Sequence, residues 1–384
     1  MIHSIQAQVC TESIRNNIAA IRRRLSPNTE ICAVIKADAY GHGVRCVLPI
    51  LQEANIERTV VAHLEEGLEL RRLGWIRPIL CLCPFLAVGS AQQRIQNALS
   101  AVTANILCTV TSVAETEALS LAANQTGRRA RVEIKIDSGM GRMGFLPSDG
   151  EKFVATVARM PQIAIEGIYT HFASSDDEDL TYTQHQLDTF NTFRDRLSGQ
   201  GFTIGGYHAA NSAAVFRATH SCLDSVRPGL ALYGYWGGPV GQRPDDLLPA
   251  MRIVARLTSV RRVPAGYPIG YGRTFVTSRP SLIGIVPIGY ADGYRRLLSN
   301  NAVMTLAAKP GQSRRQVPVI GRVSMDQTTV DLTDAGPVEA NDEIIVIDTD
   351  PHAPNSVEAL ARKLNTIPYE ITTMIGSRIP RVSV

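Results

Sequence analysis

Between positions 31 and 234 short apolar, β-branched runs alternate with longer stretches in which apolar residues recur at helical spacing. That alternation is the signature of repeated βα units, whose parallel strands are covered on both faces and therefore read as continuous apolar runs. Runs at 31–36, 59–62, 78–82, 107–110, 131–136, 165–170, 206–209 and 224–227 qualify as strands. The stretch 64–73 has helical periodicity with Gly74 as its stop, and Ser112-Val113-Ala114-Glu115 opens another helix with the pattern of a capping box. Eight such units close naturally into a TIM-type barrel; an open doubly wound sheet is the alternative that strand counting leaves standing. The pattern changes over 236–249, where Gly237-Gly238-Pro239, Gly241 and Pro244 crowd together. Beyond it, apolar runs at 253–263, 282–287, 302–307, 317–320, 328–332 and 343–347 are separated by turn residues, with a helix expected only at 356–364. The expectation is an α/β chain: a (β/α)8 barrel over 1–240, with residues 1–10 free to pair with the second unit instead, and a mostly β domain over 241–384.

Composition narrows the function classes. Of 384 residues 45% are hydrophobic and 19% charged, and 39 basic against 35 acidic residues leave a net charge of only +4. The basic clusters Arg22-Arg23-Arg24, Arg128-Arg129 and Arg314-Arg315 have no interleaved aromatics, so they read as solvated faces and no nucleic-acid partner is expected. The seven cysteines are odd in number and sit mostly in apolar runs, as reduced core thiols of a cytoplasmic protein do. Cys81-Leu82-Cys83 has no second Cys/His pair, so no metal is expected. No signal segment opens the chain and no stretch approaches the ~20 apolar residues of a membrane span.

Candidate chemistry concentrates in Val34-Ile35-Lys36-Ala37-Asp38-Ala39-Tyr40-Gly41-His42-Gly43. A lysine at the carboxyl end of a buried strand has its direction set by the strand and its charge disfavoured by burial, which is what a Schiff base with an aldehyde cofactor requires. A lone lysine is ordinarily just solvated, and the weight comes from further segments in register with this one. They are Lys135-Ile136-Asp137-Ser138-Gly139-Met140-Gly141-Arg142, Tyr169-Thr170-His171-Phe172, Ala210-Asn211-Ser212-Ala213, Arg227-Pro228-Gly229-Leu230, Gly270-Tyr271-Gly272-Arg273, Ile288-Gly289-Tyr290-Ala291-Asp292 and Gly321-Arg322-Val323-Ser324-Met325-Asp326. Lys36, Asp137, His171, Asn211 and Arg227 fall at or just after expected strand ends, where barrels carry their functional groups.

Taken together these segments resemble the alanine racemase family along nearly the whole chain. The resemblance implies an amino-acid racemase that interconverts L- and D-alanine by a two-base mechanism on pyridoxal 5'-phosphate, supplying peptidoglycan or alanine breakdown. It implies that Lys36 carries the cofactor as an aldimine and serves as one base. Tyr271, supplied by the partner subunit of a homodimer with shared active sites, is the other. Tyr40, Asn211, Ser212, Gly229, Leu230 and Tyr369 are then the phosphate-side residues, although a helix cap at Asn211 or Ser212 and a plain turn at Gly229 are the ordinary readings of each alone. Arg227 would face the pyridine nitrogen and keep it unprotonated, weakening the ring as an electron sink. His171, which taken singly is an ordinary core histidine, would link the phenol to Arg227. Arg142 would touch the substrate carboxylate, Lys135 matches a lysine that many members carbamylate, and Met325 and Asp326 would reach the substrate side, with Tyr290 and Tyr369 narrowing the entrance. Ser324, where cysteine is frequent in the family, and Gly376-Ser377 depart from the pattern and leave serine open as a substrate. Two rival readings are a pyridoxal-phosphate-dependent decarboxylase, which generally sets a carboxylate against the ring nitrogen, and a non-catalytic carrier, which lacks the β domain.

Overall fold

The computed structural model describes residues 4–202, 204–309 and 313–384. Its opening strand, β1 (Ile5–Val9), is followed by eight parallel strands: β2 (Glu30–Val34), β3 (Arg58–Val61), β4 (Ile79–Cys81), β5 (Leu107–Val110), β6 (Ala130–Lys135), β7 (Ile163–Tyr169), β8 (Tyr207–Asn211) and β9 (Ser225–Arg227). Each pairs with the next, and β9 returns to β2 through Ile31 and Val226, so the sheet is a closed barrel and the open-sheet alternative falls. Side chains such as Ile79, Leu80, Leu107 and Val110 are fully buried between barrel interior and surrounding helices, which is why most of these strands read as apolar runs.

Three local expectations are corrected. The first barrel strand stops at Val34, not at Lys36, because Lys36 already begins a short helical turn, Lys36–Tyr40. At Ser112 only half of a capping box forms: its hydroxyl accepts from Glu115 N–H, but the Glu115 carboxylate reaches past it to the amide and hydroxyl of Thr111. The run 253–263 is two strands, β10 (Met251–Arg256) and β11 (Ser259–Val263), which lie in different sheets.

The remaining strands are β12 (Pro268–Ile269), β13 (Phe275–Val276), β14 (Ser281–Val286), β15 (Val303–Leu306), β16 (Arg315–Pro318), β17 (Thr328–Asp331), β18 (Glu343–Ile347) and β19 (Arg381–Ser383). They form a six-stranded sheet in the order β16-β15-β18-β10-β1-β19, a three-stranded sheet β11-β14-β17, and a hairpin β12-β13. The chain's first strand thus completes the sheet of its last domain, pairing antiparallel with β10 and parallel with β19. Ser356 caps the helix Val357–Lys363 on the amide of Ala359. A second short helix, Pro368–Thr373, is six residues long, too short for periodicity to announce it, and its proline occupies the first turn, where a missing N–H costs nothing. The seven cysteines are all free, and among the described residues no helix is long and apolar enough to cross a membrane.

Candidate active site

Lys36 leaves β2 on an unusual backbone. Ala37, Asp38, Ala39 and Tyr40 have φ of 52°, 51°, 55° and 55°, a left-handed turn built without glycine. Such a conformation costs roughly 1–2 kcal/mol per residue, so its surroundings must hold it. Ala37 N–H donates to the Glu66 carboxylate at 2.6 Å, and Val44 N–H donates to Asp38 at 2.7 Å. From the other domain, Arg381 donates to Gly41 O at 2.9 Å and also to the carbonyls of Gly376 and Ile379. The Lys36 amine itself makes no hydrogen bond among the described residues, and burial, then the positive charge of Arg142, lowers its pKa. Both effects favour the neutral, nucleophilic amine.

The turn also delivers Tyr40 to the loops after β8 and β9. Ser212, first residue of the helix Ser212–Arg217, accepts from the amides of Gly229 at 2.9 Å and Ala231 at 3.2 Å and so ties the two loops together. A Cβ at Gly229 would lie 2.4 Å from the Tyr40 hydroxyl, so only glycine lets that hydroxyl approach the loop backbone. Tyr40 packs between Tyr233 and Tyr369, at ring separations of 5.3 and 5.7 Å. Burial, then Asp176, pushes the Tyr369 phenol up to about 12. Asn211 places its side-chain oxygen on Ala214 N–H at 3.1 Å and accepts from the Ser175 hydroxyl at 2.8 Å, so it does serve as the helix cap. Leu230 is buried where the 3-10 turn Leu230–Tyr233 begins. Two hydroxyls and loop amides, with a glycine where a side chain would intrude, suit a phosphate group.

Arg227, at the end of β9, is buried and held through both terminal nitrogens, with no partner for Nε among the described residues. It donates to Thr170 O at 2.6 Å, to Ala209 O at 3.0 Å and to His171 Nδ1 at 3.2 Å, and through Nη1 to His208 Nδ1. Burial, followed by the charges of Arg227, Arg142, Lys135 and Lys36, holds His171 well below the usual imidazole range. The ring is therefore neutral, accepts from Arg227 at Nδ1 and keeps its proton on Nε2.

Lys135 ends β6, and its amine makes no hydrogen bond among the described residues; burial, then Arg142 and Arg227, brings its pKa to about 8. The loop beyond it is organised by Asp137, whose Oδ1 accepts the amides of Gly139, Met140 and Gly141 at 3.0, 2.8 and 3.1 Å. That nest presents Arg142, exposed, within electrostatic reach of Lys36, Lys135 and His171. Lys36, Tyr40, Lys135, Arg142, His171, Asn211, Ser212, Arg227, Gly229, Leu230 and Tyr369 are thus assembled at one mouth of the barrel.

Tyr271, Met325 and Asp326 are not brought there. Tyr271 lies on the 3-10 turn between β12 and β13, 71% exposed, and among the described residues no hydrogen bond or ring contact joins it to Lys36 or His171. Met325 is 51% exposed, and Asp326 is held at 2.8 Å by Arg378, which also contacts Asp292 at 2.9 Å. Sequence reasoning passed over Glu66, Arg381, Arg58, Glu133 and His208. One signal for Glu133 was present: in Val132-Glu133-Ile134-Lys135-Ile136 it alternates with apolar residues in step with Lys135, which puts both on the same face of β6.

Known proteins bear on the same picture. A profile described as the alanine racemase N-terminal domain matches residues 9–236, and one described as the alanine racemase C-terminal domain matches 250–383. The chain is 39% identical to an alanine racemase of Desulforamulus reducens, covering 100% of this chain and 99% of that one, and 37% identical to one of Methanococcus maripaludis, covering 99% and 98%. Among solved structures it resembles alanine racemase from a D-cycloserine-producing Streptomyces lavendulae, with TM-score 0.88 and 32% identity over 100% and 98% of the two chains. It likewise resembles that of Bartonella henselae with covalently bound pyridoxal phosphate, with TM-score 0.85 and 28% identity over the whole of both chains. With both profiles together spanning almost every residue, and the lysine, arginine and tyrosine segments in place, the chain belongs to the alanine racemase family.

Proposed function

We propose that this protein interconverts L- and D-alanine with pyridoxal 5'-phosphate as its cofactor, in a site completed by a second copy of the chain. The observation that carries this reading is the pairing of a half-buried Lys36 amine, without a hydrogen bond among the described residues, with Arg227, a permanent cation, as the buried group at the end of β9. A decarboxylase would be expected to place a carboxylate there. The residues fit the cofactor: Tyr40, Ser212 and the amides around Gly229 would hold its phosphate, Lys36 its aldehyde carbon, and Arg227 its ring nitrogen.

When bound, pyridoxal phosphate withdraws electrons from the substrate Cα and makes its hydrogen acidic. The protein's task is to move that proton. The depressed basicity of Lys36 suits it to take or give a proton on one face. The opposite face needs a second group, and Tyr271, 71% exposed in its own chain, is available to a neighbouring subunit. An unperturbed phenol releases its proton only near pH ~10, so it needs a donor beside it. Neutral His171, anchored by Arg227 at Nδ1, has its Nε2–H free for that purpose. Arg142 would pair with the substrate carboxylate, Met325 and Asp326 of the second copy would close the substrate side, and Tyr369 together with Tyr290, 43% exposed on the β domain, would narrow the entrance in favour of a methyl side chain, a discrimination of about 1–3 kcal/mol per methylene. Lys135, unbonded and titrating near 8, is chemically suited to take up carbon dioxide as a carbamate, an anion that would orient Arg142. Seven free thiols suit a reducing cytoplasm.

Incubation with L-alanine in deuterated water tests the reading. Deuterium at Cα with inversion supports it; release of carbon dioxide indicates the decarboxylase, and neither outcome indicates a carrier.

A further inference from the structure

Behind Arg227 runs a buried polar chain that the proton-transfer scheme does not use. Arg227 Nη1 donates to His208 Nδ1; His208 Nε2 contacts the Glu133 carboxylate at 2.8 Å; and Arg58 Nη1 donates to the other carboxylate oxygen. Glu133 is 0% and His208 2% exposed. The surroundings are shaped around this chain. Gly167 leaves space beside the carboxylate, where a Cβ would come within 3.2 Å, and the His208 ring stacks on Tyr169 at 5.0 Å. The Arg227 guanidinium lies over the other side of the same region, 5.0 Å from the Tyr169 centroid.

We propose that Glu133 and His208 are positioning residues that hold the guanidinium of Arg227 in place by enforcing one tautomer of His208. The role at the cofactor rests on the function proposed above; the tautomer does not. A guanidinium has no lone pair, so His208 Nδ1 must accept from it, and the imidazole proton must sit on Nε2. Only an acceptor can receive that proton, and Glu133 is the acceptor present. An imidazolium, or the opposite tautomer, would set N–H against N–H at Arg227. Burial, only partly opposed by Glu133, keeps His208 below its usual range and therefore neutral. Burial also works against ionisation of Glu133, but the hydrogen bond from His208 and the charges of Arg58 and Arg227 oppose it and hold the carboxyl below the usual carboxylate range. Arg58 thus balances the charge of Glu133, leaving the cationic end of the chain at Arg227.

Selective 15N-histidine labelling of the cofactor-free protein reads the tautomer directly, the His208 signals being identified by their loss in His208→Gln. The expected result is a neutral ring protonated at Nε2 at pH 7; a proton on Nδ1, or an imidazolium, overturns the proposal whether or not the protein racemises alanine. The double variant Arg58→Met with Glu133→Met removes both charges together, so that neither is stranded by loss of the other, and takes away the acceptor of the His208 Nε2–H. In it, cofactor affinity should fall at least ~tenfold, the scale of one lost charged hydrogen bond, and the absorption of the loaded protein should shift. Unchanged affinity and absorption in the folded double variant would refute a role at the cofactor. Loss of racemisation in the native protein, with the tautomer as expected, would instead refute the function and leave the positioning intact.

Discussion

The barrel mouth and the outer face of the β domain are built on opposite terms. At the mouth, the buried Arg227 is held by Thr170, Ala209, His171 and His208, while the amines of Lys36 and Lys135 stand beside it without hydrogen bonds among the described residues. On the β domain, Tyr271 and Met325 stand in solvent, and the hairpin that carries Tyr271 has only two residues per strand. The first region is a finished receptor; the second is a projection with nothing of its own chain to act on. In the function proposed above these are two unlike halves of a site, the exposed tyrosine of one copy being received by the barrel of another.

The largest test of that division is Lys36→Ala, which should abolish cofactor attachment and lower racemisation by more than ~10⁴, as removal of both an anchor and a general base does. Tyr271→Phe should reduce turnover by roughly 10²–10⁴ while cofactor affinity and melting temperature stay close to native, since the side chain is exposed. Equal losses of affinity and turnover would erase the contrast between the two regions. Mixing equal amounts of the two inactive variants after unfolding and refolding should restore about a quarter of native activity, because half the random dimers are mixed and each has one intact site. No restoration would place both bases in one chain.

Smaller effects sharpen the receptor side. Gly229→Ala brings a methyl to 2.4 Å from the Tyr40 hydroxyl, and cofactor affinity, followed by equilibrium dialysis, should weaken by roughly tenfold, about one hydrogen bond. Lys135→Met should act through pH. An amine whose folded pKa is depressed binds fewer protons folded than unfolded, so it destabilises the native state below its folded value and ceases to do so above its unfolded one. For Lys135 the window runs from about 8 to 10.5. In carbonate-free buffer the urea midpoint of native protein should therefore lie below that of Lys135→Met at pH 7, and the gap should close across that window. A gap that widens with pH would contradict the burial of an uncompensated amine.

How much was legible varied with the physics involved. Barrel strands announce themselves because both faces are covered, and all eight runs proved to be strands with ends displaced by a residue or two. Lys36, Arg227 and Tyr271 stood out through motif context. The left-handed turn did not, since Ala37, Asp38, Ala39 and Tyr40 include no residue whose own preference demands positive φ; Glu66 and Arg381 impose it from distant parts of the chain. Glu133 and His208 were likewise hidden: one is a charge within an apolar strand and the other an ordinary histidine until β6 and β8 bring them to 2.8 Å.

The sequence by itself determined the alternation that makes a barrel, the change to short strands after 236–249, and the chemical identity of the amine, the guanidinium and the phenol. Only the tertiary structure decided that β9 closes on β2, that β1 belongs to the last domain's sheet, that Arg227 is backed by a buried carboxylate, and that Tyr271 faces outward. The reason is one of range. Periodicity and residue type report on neighbours a few positions away, whereas hydrogen-bond partners, burial and exposure depend on segments separated by tens to hundreds of residues, which meet only when the chain folds.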